Sequence, residues 1–537
     1  MSAALLAKSV FTMRIPDLDT GYRILSRLPL ANSEQAEREI TQFLDSLLQA
    51  PPTAEVYLQL LEQTRISLCF IEDELAKRFA DRALPLGDTE EKAFHQVVAT
   101  WRKVTHAYAH CAQLLTPEDN ERYQAKLALI LHRCIYYTGM AIIEHHRARR
   151  QVAAGLWLDL HGYYASAEEW NVACLPVPDA LDPLGRSTHC TAAYVSVLLL
   201  DVAHPQVLSF AEVNLIRRWA NNWSALAELH SIDSRQPPMH FVVDLMQDAS
   251  LQVPSEDGRL ENERRIDTSR LIVQINELRS QLRKGVTPVQ LALGDDCSAV
   301  ECHRLLKRLS RFWLLMQVPR KYRRQKASGA TKVCTGFAGI HYCLSGKGFT
   351  QPESASVYSR KEFEALFAFR HQLDPGQQFS ANHHAQIGFA IDRWDVLDQC
   401  ASGYRLLRSS AGRRIEAGQL LAVSPSESSM YLLAYVVWVM QEEQGGLTAG
   451  IATMPGKPEA IAARLLPQIS GQDNAYSRAF VLPSVPTVGV DRTLIIPKGW
   501  YSPERLVEVY VNGSWRVKML RLVGEGSDFD RVTFLIV

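Results

Sequence analysis

The spacing of apolar residues changes near Trp313, and this change constrains the fold of the 537-residue chain more than any other feature. Before Trp313, apolar residues recur every three or four positions, which is the spacing that builds one buried face on an α-helix. After Trp313, β-branched and aromatic runs alternate in short segments separated by glycine, serine and proline, which is typical of strands joined by turns. The sequence therefore predicts an all-α first part and a β-rich second part.

Two segments illustrate the helical part. In the first, Ser33 is the expected N-cap of a helix, whose apolar stripe consists of Ala36, Ile40, Phe43, Leu44, Leu47 and Leu48. In the second, Gly285 is the expected stop of a helix, whose buried face consists of Leu271, Ile275, Leu278 and Leu282. A tetratricopeptide pattern near Trp157 is incomplete and has no second copy, which disfavours a repeat array. We expect an α-helical bundle or an irregular solenoid.

The β-rich part divides into two regions. In the first, we expect strands at 331–343 and 401–409, and between them an insertion that contains a short helix at 359–374 and the adjacent histidines 383 and 384. The last residues of the β-rich part contain a strong hairpin pattern, in which Asn512 and Gly513 supply the turn between two alternating strands. The overall expectation is an α+β multidomain protein with three parts. These are an N-terminal all-α domain at 1–315, a β-barrel at 316–465 with an insertion at about 346–394, and a small C-terminal β domain at 466–537.

Composition excludes several classes of protein. Lys and Arg number 58, as do Asp and Glu, so no overall charge draws the chain to nucleic acid or to an anionic membrane. The ten cysteines are scattered among apolar neighbours, which is typical of reduced core thiols. The apolar run before Lys8 is too short for a signal peptide, and the longest, Tyr431 to Met440, is about half a membrane span. We expect a cytoplasmic protein without a membrane span.

One short segment departs from this neutrality. From Arg320 to Lys326, five of seven residues are basic. Three interpretations compete: a solvated linker, a patch that binds nucleic acid, and the edge of a pocket for a small anionic ligand. Nucleic acid is disfavoured because such surfaces spread their charge and carry several exposed aromatic residues, whereas Tyr322 is the one aromatic residue here.

Two motifs in the β-rich part favour the pocket. Arg320 and Arg324 form an R-x-x-x-R pattern just before the first predicted strand, and "DQCASG" places Asp398, Cys400 and Gly403 between two later strands. The order of these motifs and of the following strands resembles the PilZ domain, a small β-barrel family that binds cyclic diguanylate (c-di-GMP). The resemblance covers residues of about 316–465. Cys400 stands where the family pattern has serine.

The resemblance implies a bacterial signalling receptor whose ligand, c-di-GMP, is bound by Arg320, Arg324, Asp398, Cys400 and Gly403. The chemistry suits these residue types, because arginine can bind guanine O6 and N7 or a phosphate through two hydrogen bonds. A carboxylate can accept from guanine N1–H and N2–H₂. Arg323 and Lys321 are expected at the fringe of the ligand, and together with Lys326 they are more typical of a solvated surface that attracts anions.

The remaining expectations concern catalysis, metals and partners. Cys297, Cys302 and His303 do not have the spacing of a zinc site, and no motif of a catalytic centre occurs in a useful context. We therefore expect a receptor without enzymatic activity, metal or cofactor. The helical part would dock an unidentified protein partner, and ligand binding near Arg320 and Arg324 would reorient the two parts. The alternatives are a nucleic-acid-binding adaptor, and a ligand-free PilZ-like scaffold, which the Cys400 departure keeps open.

Overall fold

The backbone divides into two compact units, one formed by Met1–Arg82 and Leu86–Pro319 and the other by Ala83–Pro85 and Arg320–Val537. The structure is a computed structural model. The residues it describes are 14–117, 120–182, 185–232, 241–253, 260–315, 323–352, 391–409, 412–425, 430–466, 475–511 and 513–537.

The first unit is built mainly from α-helices. Those described are α1 (Leu18–Leu25), α2 (Ser33–Gln49), α3 (Ala54–Ala76), α4 (Asp88–Gln113), α5 (Glu121–Arg147), α6 (Leu156–Glu169), α7 (Cys190–Val202), α8 (Phe210–Trp223), α9 (Ser269–Arg283) and α10 (Ala299–Phe312). Single 3₁₀ turns lie at Pro205–Val207, Ser224–Leu226 and Leu260–Asn262.

The predicted helical faces agree with the observed burial. All four leucine and isoleucine residues expected to share a face on α9 are buried. On α2 the N-cap is Asn32, one residue before the expected Ser33, because the Asn32 side chain accepts a hydrogen bond of 3.2 Å from the amide of Gln35. Asparagine and serine cap equally well, so the sequence alone does not separate these two starts.

Helix α5 lies at the centre of the first unit. It is long and apolar enough to span a membrane, and among the described residues it is the one helix of which this is true. However, 89% of its apolar window is buried within the protein. Helices α4, α6 and α7 pack against it. Its apolar surface is therefore used to form the core of a helical unit.

A small antiparallel sheet interrupts the helices of the first unit. Its strands are β1 (Glu228–Ser231), β2 (Val242–Asp244) and β3 (Glu263–Asp267), in the order β1–β3–β2. The apolar spacing did not predict this sheet, because strands of three to five residues are too short to show an alternating pattern.

The second unit begins with a β-barrel. Its strands are β4 (Gln325–Lys326), β5 (Ala330–Thr335), β6 (Ile391–Cys400), β7 (Gly403–Arg408), β8 (Leu420–Ser424), β9 (Leu432–Gln441) and β10 (Leu447–Thr453). The strand order is β4–β6–β5–β8–β9–β10–β7, and β7 also pairs with β6. Strands β5 to β10 therefore close into a barrel, which we call the first barrel, while β4 adds to the far end of β6.

Helix α11 (Phe337–Ser345) corrects one expectation from the sequence. A strand was predicted to run from Thr331 to Cys343, but β5 ends at Thr335 and a helix follows. Gly336 has a φ of 78°, which ends the strand. A short apolar run is compatible with either a strand or a buried helix, so periodicity could not decide. The short helix predicted from residues 359–374 and the histidine pair at 383–384 lie outside the described residues.

The second barrel is formed by the end of the chain. Its strands are β11 (Glu459–Leu466), β12 (Ser477–Leu482), β13 (Thr493–Pro497), β14 (Leu506–Tyr510), β15 (Ser514–Glu525) and β16 (Phe529–Ile536), with one 3₁₀ turn at Pro486–Val488. They close in the order β11–β12–β13–β16–β15–β14. The predicted hairpin is present, with Tyr510 opposite Ser514. Strand β11 crosses the boundary expected at 465/466 and pairs within the second barrel.

One apolar core joins α11 and the two barrels. It contains buried residues from the first barrel, from the helix and from the second barrel: Cys334, Ile340, Leu420, Ala422, Leu433, Met454, Phe480, Leu482, Ile495 and Phe529. A separate cluster fills the second barrel itself. The two barrels thus share buried apolar surface, which is the main stabilising contribution to packing.

Candidate functional site

The candidate site lies at the C-terminal end of β6, where this strand is flanked by β4 and β7. Asp398 of β6 is directly opposite Lys326 of β4 and directly opposite Arg405 of β7. Residues opposed in an antiparallel pair project to the same face of the sheet. This register therefore brings one acidic and two basic residues onto one face.

Arg324 completes this group from the segment before β4. Its Nη1 donates a hydrogen bond to Oδ1 of Asp398, across 74 positions of sequence. Arg405 approaches the other carboxylate oxygen, with its Nε 3.5 Å from Oδ2. We call Arg324, Lys326, Asp398 and Arg405 the Asp398 cluster. Its carboxylate lies between two guanidinium groups and is mostly buried, whereas the side chain of Arg405 is 46% exposed.

A two-residue loop explains the spacing of the "DQCASG" motif. Strand β6 ends at Cys400 and β7 begins at the opposite residue, Gly403. Asp398 and Cys400 are two positions apart on one strand, so they point to the same face. Leu397 is an extra residue, because the register shifts between Val396 and Asp398. Bulges of this kind redirect side chains near functional sites.

Gly403 is required by a neighbouring strand. A Cβ atom at this position would lie 2.0 Å from the carbonyl oxygen of Ile451 and 3.1 Å from Cα of Ala452, both in β10. These are backbone atoms, which cannot move aside without moving the strand. The absence of a side chain at Gly403 therefore allows β7 to pair closely with β10, and this pairing is part of the closed barrel.

Cys400 is paired with a hydroxyl that the sequence interpretation did not consider. Its Sγ lies 3.4 Å from Oγ of Ser402 in the loop. This hydrogen bond lowers the pKa of the Cys400 thiol, partial burial opposes it, and the Ser402 amide and the positive charge of Arg324 add to the lowering. Thus a hydroxyl is present beside the position where the PilZ pattern has serine, two residues further along the chain.

The structure describes five of the seven ligand-binding and fringe residues predicted from sequence. It brings together Arg324, Asp398, Cys400 and Gly403 at the β6–β7 loop. Arg323 is exposed beside β4. Arg320 and Lys321 lie outside the described residues. Among the described residues, no group of three or more His, Cys, Asp or Glu side chains is arranged to hold a metal ion.

Sequence reasoning missed Arg405 and Ser402. Arg405 is two positions after Gly403, and this spacing places both residues on the same face of a strand. That signal was available once "GYRLLR" was predicted to be a strand, but assigning Arg405 to the site also requires its register with Asp398. Ser402 could have been noticed as the hydroxyl inside the motif itself.

Three family models match this chain in order. The model described as the cyclic-di-GMP receptor FimW, N-terminal domain, matches residues 22–236. The FimW middle PilZ domain matches residues 240–385, and the FimW C-terminal beta-barrel domain matches residues 461–537. The middle match contains Arg320 and Arg324 and ends before β6, so the assignment of Asp398, Cys400 and Gly403 depends on the motif and on the geometry described above.

A relative of known role matches nearly the whole chain. The cyclic-di-GMP receptor FimW of Pseudomonas aeruginosa is 24% identical over 532 residues, which cover 92% of this chain and 86% of the relative. The first match lies in the helical unit, the middle match includes α9, α10, β4, β5 and α11, and the third covers the second barrel from within β11 onwards. On this evidence, the chain belongs to the FimW family of PilZ-domain cyclic-di-GMP receptors.

Proposed function

We propose that this chain is a c-di-GMP receptor that binds its ligand at the Asp398 cluster, with Arg320, Cys400 and Gly403 completing the site. The observation that carries the proposal is the meeting of Arg324 with Asp398 beside the β6–β7 loop. Two motifs that are far apart in sequence thereby form one surface, which is what a shared ligand requires.

A guanine base can hydrogen-bond to both Arg324 and Asp398, and so can take the place of each residue's partner in their ion pair. Its O6 and N7 accept hydrogen bonds from a guanidinium group, and its N1–H and N2–H₂ donate to a carboxylate. When the ligand inserts between Arg324 and Asp398, each charged group exchanges its partner for the base and neither is left without a hydrogen bond. This exchange avoids the large free-energy cost of leaving a partly buried charge unpaired. Arg324 can alternatively bind a phosphate, for which arginine is equally well suited.

The rest of the proposal concerns what the receptor does with its ligand. The FimW family has a binding role, and we infer that this chain does not catalyse a reaction. The helical unit would carry the output by docking an unidentified protein partner. A cytoplasmic location is consistent with the ten cysteines, all of which are free thiols. For the domains we propose a division at 315/316 and, in place of the expected 465/466, a second division just before β11, which begins at Glu459.

A calorimetric titration of the full chain with c-di-GMP tests the proposal. We expect binding at micromolar or lower concentration, no comparable binding of GTP, and a loss of about tenfold or more in affinity for Arg324→Ala, which is typical of a charged hydrogen bond. Arg393→Ala is the matched control, because Arg393 is exposed on β6 about 17 Å along the strand from Asp398.

The outcomes separate the three hypotheses. Binding that is lost in Arg324→Ala and retained in Arg393→Ala supports the proposed site. An absence of heat with the wild type would mean a protein-docking barrel without ligand. Binding of single-stranded nucleic acid with a steep salt dependence, and none of c-di-GMP, would favour the adaptor.

A further inference from the structure

We propose that Arg405 is a third ligand-binding arginine, whose guanidinium group contacts a phosphate of the bound dinucleotide. This inference rests on the proposed function, because it concerns the same ligand. It adds a residue that belongs to neither sequence motif and that is placed at the site by strand pairing alone.

The geometry leaves part of the Arg405 side chain available. Nε is the atom that approaches Asp398, at 3.5 Å, and Asp398 is its one acidic partner among the described residues. The other two nitrogens of the guanidinium group are therefore not engaged by an ion pair there. With the side chain 46% exposed, they can reach a ligand on the face shared with Asp398. A phosphate is bound well by such a planar group.

The charge of the cluster supports the same conclusion. Arg324, Lys326 and Arg405 contribute three positive charges and Asp398 contributes one negative charge, so the cluster carries a net charge of about +2 at neutral pH. A cyclic dinucleotide carries two phosphates, each with one negative charge. Within this cluster, Arg405 raises the net charge from about +1 to about +2, which strengthens the attraction of the two phosphates.

The contribution of Arg405 to the stability of the fold is too small to explain its position beside Asp398. An ion pair whose arginine is about half exposed stabilises a fold weakly. Asp398 already has Arg324 as a partner. Once a ligand engages Arg324, Arg405 remains beside Asp398 and keeps this carboxylate compensated. The same guanidinium group can thus hold Asp398 through Nε and a phosphate through its terminal nitrogens.

The test compares the affinities of Arg405→Ala and Arg405→Lys with the wild type, using full-length protein and c-di-GMP. We expect Arg405→Ala to bind about tenfold more weakly or worse, and Arg405→Lys to fall in between, because lysine keeps the charge but loses the planar fork. The affinity of Arg405→Ala should also depend less on salt concentration than that of the wild type, because one screened charge pair with a phosphate is lost. Arg393→Ala is again the control, and the melting temperature of each variant without ligand verifies folding.

A double-mutant cycle separates direct contact from an effect through Asp398. If Arg405 contacts the phosphate, Arg405→Ala weakens binding by a similar factor in the wild type and in Asp398→Asn. If its effect disappears in Asp398→Asn, Arg405 acts only by positioning the carboxylate, and the inference is wrong. Equal affinities of Arg405→Ala and wild type would also overturn it while leaving the receptor intact. A wild type without affinity for c-di-GMP would instead remove the proposed function.

Discussion

At the scale of single residues, Gly403 shows that a motif residue can serve the fold. Since its missing side chain leaves room for the β10 backbone, Gly403→Ala should push β7 away from β10. We expect a loss of about 1–3 kcal/mol in the free energy of unfolding, the usual cost of overpacking. Urea denaturation of the purified variant measures this loss.

The matched control is Gly348→Ala, because Gly348 is exposed and a Cβ atom there would have no neighbour within 4 Å. It should change the free energy of unfolding by less than about 0.5 kcal/mol. Equal stability of Gly403→Ala and wild type would contradict the prediction that the β7–β10 contact requires glycine at this position.

At the scale of elements, α11 connects the two barrels through a shared core. Ile340 is fully buried in this core, among residues of both barrels. Ile340→Ala should cost about 2–4 kcal/mol, because it removes buried methyl groups and leaves a cavity. Leu535→Ala, at a side chain that is 54% exposed, is the control and should have little effect.

Urea denaturation followed by fluorescence and circular dichroism measures the loss in the free energy of unfolding. Hydrogen exchange of the same variant shows which strands are destabilised. If α11 holds the barrels together, Ile340→Ala destabilises strands of both. A change confined to one barrel would contradict the shared core.

At the scale of the whole molecule, the division into two units predicts that a substitution in one unit changes the melting temperature of that unit and not of the other. Glu72 of α3 is fully buried, and neither of its carboxylate oxygens has a hydrogen-bond partner among the described residues. Burial raises the pKa of Glu72 well above its usual value, and the nearby acids Glu37, Glu144 and Asp73 raise it further. The neutral acid is therefore the form that the helical unit accommodates.

The sign of the pH dependence follows from this raised pKa. The stability associated with neutral Glu72 is fully present below the unfolded pKa of about 4.3, and it decreases as pH rises above that value. Glu72→Gln cannot ionise, so we expect it to raise the melting temperature of the helical unit by several degrees at pH 7 and by little near pH 4. Scanning calorimetry at both pH values measures this. A lower melting temperature at pH 7, or an equal shift in the barrel unit, would contradict the prediction.

Helical faces and tight turns, which depend on the spacing of nearby residues, were predictable from the sequence. Contacts that depend on the register between strands were not. The α9 face and the hairpin of the second barrel follow from periodicity and turn chemistry. The sequence placed Asp398 and Cys400 between two strands, whereas both lie within β6, because the bulge at Leu397 and the charged residues along this strand break its alternating pattern. Arg324 and Asp398 were predicted to act together from a resemblance, whereas Arg405 entered the site only when β6 and β7 were paired.

Hydrogen exchange of the full-length protein with and without saturating c-di-GMP tests the central claim most directly, because it locates the ligand. We predict slower exchange in β4, at the C-terminal end of β6 and in β7, and less protection of these strands in Arg324→Ala when both proteins are compared at a ligand concentration near the Kd of the wild type. Unchanged exchange in these three strands, together with protection elsewhere in a saturated complex, would show that the ligand binds at another site.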